Sequence, residues 1–120
     1  MSHYARNHLQ DDWASDAAAD MQRRVQAAEK EAGWYFDQAT KLEKAEFDAA
    51  MHSLLGVTGP KGNRAREQAR ARWRSATAEA RALFEVTIEC LLQSGEVSAE
   101  LDEQWTALID RDGAMKEAAE

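Results

Sequence analysis

The chain has 120 residues, a formal net charge of −7 and one cysteine, with 44% hydrophobic and 31% charged side chains. That size suits one domain over residues 1–120, and the balance excludes both a disordered chain and a membrane-spanning one. A lone Cys90 excludes an internal disulfide and a cysteine metal cluster. No run approaches ~18 apolar residues, and Met1 to Gln10 shows neither an apolar h-region nor a small-residue cleavage site. The expected setting is therefore the cytoplasm, with no membrane partner.

Residues 1–10 are polar and aperiodic, which suggests a loose N-terminal arm. Asp11, Asp12 and Asp16 then suit a helix N-terminus. Small or apolar residues follow at Ala17, Met21, Val25, Ala28, Ala32, Tyr35, Ala39 and Leu42, a heptad-like stripe. It shifts to Phe47, Ala50, Met51, Leu54 and Leu55, and predicts one helix over about 12–55. Gly33 is its weak point, because a mid-helix glycine costs ~1 kcal/mol relative to alanine.

The segment from Gly56 to Asn63 holds the only proline and three of the six glycines, and reads as the turn of a helical hairpin. Asn63 is a fair N-cap for a second helix over about 64–93. Its stripe runs through Ala65, Ala69, Trp73, Ala76, Ala80, Leu83, Thr87 and Leu91, and Ser94-Gly95 ends it. Ser98 caps a shorter third helix over about 98–111, with Leu101, Trp105, Leu108 and Ile109 on its apolar face. Gly113 is expected to end it, leaving 114–120 frayed.

The fold class predicted is all-α: a long antiparallel hairpin with a third helix across its open end. In such a hairpin, positions summing to roughly 118 face each other, because both helices rise equally per residue. Trp73 then meets Phe47, and Phe84 meets the Trp34–Phe36 segment. The first helix outruns the second by about a dozen residues. Its surplus around Trp13, Met21 and Val25 needs a cover, either the third helix or a second copy.

No constellation points to catalysis. Glu43, Glu46, Glu85 and Glu89 lack the Glu-x-x-His partners of a di-metal site, and Arg81 is placed to pair with Glu85 and Glu89. Asp48 and His52 are an isolated i,i+4 pair. Cys90 reads as a packed, inert thiol. The turn fails the phosphate-loop pattern, since Lys61 precedes Gly62 and a helix precedes the loop. The reading is a non-enzyme without catalytic residues, metal or cofactor.

Charge is unevenly distributed. Residues 61–80 carry six cations and two carboxylates, whereas residues 81–120 carry three cations and ten carboxylates. Lys61, Arg64, Arg66, Arg70 and Arg74 make a basic hairpin tip, with the last three spaced as one helical stripe. Cations at a helix N-terminus are mildly unfavourable, so local helix stability does not explain them. Of the four tryptophans, Trp34 and Trp73 suit helix contacts in the core. Trp13 and Trp105, near element ends, suit an interface.

Together these features predict a helical protein-interaction module, a small adaptor, regulator or inhibitor that binds a protein partner and forms a homodimer. One alternative is a nucleic-acid-associated protein that holds phosphates with the basic tip. Another is an acidic inhibitor that occupies the basic groove of a nucleic-acid-binding target.

Overall fold

A computed structural model describes the backbone from Ser2 to Ala119 and the side chains of residues 14–118. The protein is all-α. Five helices run in order: α1 (Ser2–Ala39), α2 (Lys41–Ser53), α3 (Gly59–Ala76), α4 (Ala78–Ser94) and α5 (Ala99–Ala119). They stand where three were expected. The chain folds back between α2 and α3, so that α2 packs on α3 and α1 on α4, while α5 lies against α1, α2 and α4.

Each arm of the fold-back bends once, and each bend is at a buried threonine. Thr40 separates α1 from α2, and its hydroxyl donates to the Phe36 carbonyl at 2.7 Å. Thr77 separates α3 from α4, and its hydroxyl donates to the Trp73 carbonyl at 2.8 Å. A threonine that bonds back to its own preceding turn competes with the helical ladder and bends it. The numbers 40 and 77 satisfy the facing rule, so the two bends lie opposite each other. Helix one thus breaks at Thr40, while α1 runs unbroken through Gly33.

The ends also differ from expectation. The helix starts at Ser2 rather than after a loose arm, since nothing before Gly33 is a glycine or a proline. Pro60, expected in the turn, instead occupies the first turn of α3, where its missing N–H is no loss, so α3 begins after Thr58 rather than after the predicted Asn63 cap. Gly113 does not end α5, because Ala114, Met115, Lys116 and Glu117 after it are good helix formers. Two predicted caps do form. Gly95 adopts a left-handed conformation after α4, and Ser98 Oγ accepts the Leu101 N–H at 3.2 Å.

The core sits where α1, α4 and α5 meet. Ala39, Ala80, Trp105 and Leu108 are buried together, with Tyr35, Phe36, Leu83, Phe84 and Ile109 packed around them. The small residues Ala28 and Ala32 let α4 approach α1 closely. The resulting molecule is a thin plate of 69 × 45 × 17 Å with a radius of gyration of 21.0 Å. A compact domain of this length would have about 14 Å. So elongated a shape leaves Met21, Trp34, Leu55 and Val86 exposed.

Candidate functional site

Two surfaces answer to the sequence reading: the basic tip and the open end of the α1 seam. At the tip, Arg66 is taken up by the fold. Its guanidinium donates to the Leu54 carbonyl at 3.3 Å, to the Val57 carbonyl, and to Asn63 Oδ1 at 3.3 Å. It ties the turn after α2 together, reaching a Leu54 carbonyl that also accepts the Val57 N–H at 3.0 Å. The same turn is packed so closely that a β-carbon on Gly62 would lie 2.7 Å from the Val57 oxygen.

Arg70 and Arg74 share one carboxylate, Glu67, at 3.6 and 2.9 Å. The Arg74 bond, followed by the charge of Arg74 and that of Arg70, holds Glu67 below the usual carboxylate range. Lys61 and Arg64 are exposed and have no ion-pair partner among the described residues. The predicted basic stripe is therefore present, but three of its five cations have internal partners.

The tryptophans exchange roles. Trp105, expected at an interface, is 0% exposed. It stacks on Tyr35 at 5.7 Å, and its Nε1–H donates to Thr87 Oγ1 at 2.9 Å. Its spacing of four from Leu101 and three from Leu108 puts it in the middle of the α5 apolar face. Trp34, expected in the core, is 57% exposed and touches Tyr35 only edge-on at 5.1 Å. It lies two residues, about 200°, from the buried Ala32 and so on the opposite side of α1. The Trp13 side chain lies outside the described residues.

Trp73 is half-buried between Phe47 at 5.5 Å and Phe36 at 6.4 Å, and Phe36 meets Phe84 at 5.9 Å. Phe47–Trp73 and Phe36–Phe84 are the pairs that the facing rule predicts, and Phe36–Trp73 is an added contact. Arg81 does not bridge to Glu85 or Glu89. Its guanidinium lies 4.4 Å from the Trp73 ring centre and donates to Thr77 Oγ1. Asp48 receives Lys44 at 2.9 Å rather than His52. Cys90 is half-buried, and its Sγ–H donates to the Glu96 carbonyl at 3.2 Å.

Beside Trp73, a groove of about 340 Å³ opens between α2 and α3, lined by Glu43, Glu46, Phe47, Arg72 and small alanines. The sequence shows Glu43 and Glu46 only as an incomplete di-metal set. The structure turns Glu43 inward toward Asp112 of α5, a contact that no periodicity within one helix reveals. Among the described residues no three His, Cys, Asp or Glu side chains converge as metal ligands, and no helix is long and apolar enough to cross a membrane.

The open seam is simpler. α1 meets α4 along Ala28, Ala32, Phe36 and Ala39, and Arg24 reaches the Leu92 carbonyl at 3.1 Å near the last turn of α4. N-terminal to that point the stripe continues through Val25, Met21 and Ala17, with Met21 exposed. The fold and surfaces thus define an elongated all-α protein. Comparison with known protein families, curated proteins and solved structures finds no match to the chain.

Proposed function

We propose that this chain is a non-enzymatic helical interaction module, a small cytoplasmic adaptor, regulator or inhibitor that binds protein through helix faces and pairs with a second copy of itself. The observation that carries this reading is the unfinished seam of α1. The face that packs on α4 continues past the end of α4 as Ala17, Met21 and Val25. A seam of this kind gains stability only when another helix covers it, at roughly 25 cal/mol per Å² of apolar surface buried. The exposed Trp34, Leu55 and Val86 add further apolar contact points on the plate.

Internal use of Arg66, Arg70 and Arg74 supports a protein partner over nucleic acid, since phosphate binding needs free cations. Trp105, being fully buried, is no longer among the interface anchors.

Sedimentation equilibrium at tens of micromolar tests the reading. The expected result is a dimer mass for the wild type and a monomer mass for Met21→Glu, with unchanged helical circular dichroism in the variant. A monomeric wild type would overturn the self-association reading. A gel shift at ~50 mM salt that vanishes at ~200 mM would turn the assignment toward nucleic acid.

A further inference from the structure

We propose that Glu43 and Asp112 form a proton-operated clamp that holds the C-terminal half of α5 against the bend between α1 and α2. Asp112 is 5% exposed, although every other described side chain of α5 beyond Ile109 is exposed. Its Oδ2 accepts the Leu42 N–H at 3.3 Å. That N–H belongs to the first turn of α2, where helix donors have no partner of their own, and Thr40 makes no side-chain cap there. Asp112 therefore caps α2 from another helix, at the positive end of the α2 dipole.

Glu43, one residue after Leu42, brings its carboxyl into hydrogen-bonding contact with Asp112. Glu43 Oε2 and Asp112 Oδ1 are both buried and have no donor from the protein. Two ionised carboxylates are acceptors only, so this contact holds together only when one of them carries a proton. Asp112 already accepts the Leu42 N–H, so Glu43 is the member of the pair that carries the proton. Burial first, then the bond to Asp112 and the charges of Asp112 and Glu46, push Glu43 up to about 7.

Arg111 feels the Glu43 charge but is already engaged by Glu79, so the surroundings relieve a second negative charge only in part. The cavity beside the pair is about 20 Å³, room for roughly one water. Of the charged groups around it, Glu46 on α2 and Glu79 on α4 are acidic. Arg111 on α5 is held by Glu79 at 2.7 Å, and Arg72 on α3 lies across the groove from Glu43. α1 contributes Ala39 and Thr40 is neutral, so neither supplies a countercharge.

Loss of the Glu43 proton therefore sets two carboxylates against each other at the joint. Trp105, bonded to Thr87, holds the first half of α5 in place. Gly113 next to Asp112 makes the second half the part that opens. Opening uncovers Ala39, Ala80 and Leu108 at the bend.

Amide hydrogen exchange by NMR, expressed as protection factors at pH 6 and pH 8, tests the clamp. Linkage with a closed-state value of about 7 and an open-state value of about 4.5 gives about tenfold lower protection over residues 110–118 at pH 8, with residues 101–108 unchanged. Glu43→Gln, whose amide donates to Asp112 at every pH, should hold protection constant between the two. If that variant misfolds, Asp112→Asn should equally abolish the dependence. A wild-type carbon resonance of the Glu43 carboxyl that titrates in the ordinary carboxylate range would overturn the proposal, as would a tenfold loss persisting in Glu43→Gln.

Discussion

The α1–α4–α5 half of the molecule surrounds Trp105 with aromatic and branched side chains, whereas in the α2–α3 half α2 has no buried residue and α3 buries only Gly62 and Ala69. The first half is held by area removed from water. The second is held by the aromatic pair Phe47–Trp73, by Arg66 on the turn carbonyls and by close backbone approach at Gly62. Two helices alone cannot enclose a large side chain, so a hairpin that meets the third helix only at its base relies on polar and backbone contacts. Its stability is correspondingly more local.

The largest test of this contrast is Trp105→Ala, which should destabilise the whole protein by ~3–5 kcal/mol and leave Thr87 without its donor. Urea denaturation followed by circular dichroism reads it, and a loss under ~1 kcal/mol would mean that the core is elsewhere. Gly62→Ala should cost ~1–3 kcal/mol through the clash with the Val57 carbonyl. Exchange protection should fall over the tip first and leave the Trp105 region intact, and uniform loss would show that the two halves unfold as one.

The joint between the halves has its own signature in pH. Glu43 is raised to about 7 from 4.5, so its contribution is fully present below about 4.5 and is lost as pH rises through about 7. Because Glu43 is only half-buried, the change is discounted to ~1–2 kcal/mol. Urea midpoints of the wild type and Glu43→Gln should therefore converge at low pH and separate above neutrality, with the variant the more stable. The smallest effect is expected from Trp34→Ala. With that ring mostly exposed, monomer stability should shift by less than ~0.5 kcal/mol. A large loss would place Trp34 against a partner under the assay conditions.

Much of the fold was legible in the chain. The α1 stripe, the Ser98 cap, the Gly95 stop and the Phe47–Trp73 and Phe36–Phe84 pairings all follow from period and equal helix rise. The threonine bends were not. Thr40 and Thr77 lie inside uninterrupted helical patterns, and a threonine bends a helix only when packing turns its hydroxyl onto the preceding carbonyl. Gly33, the weaker residue by propensity, stayed helical because no packing demanded a break there.

The basic tip was legible as composition but not as use. Arg66 tying the turn after α2 and Glu67 shared by Arg70 and Arg74 depend on how the turn closes. The roles of Trp34 and Trp105 were hidden for a related reason, because angular position around a helix decides exposure and position along it does not.

The sequence alone determined the helical class, the place of the fold-back and the facing register, because periodicity and turn chemistry are local and carry those directly. Only the tertiary structure decided which tryptophan is core, where the arms bend and that Glu43 meets Asp112. Those outcomes depend on side chains about 70 residues apart in the chain arriving at one joint, and no local pattern encodes that meeting.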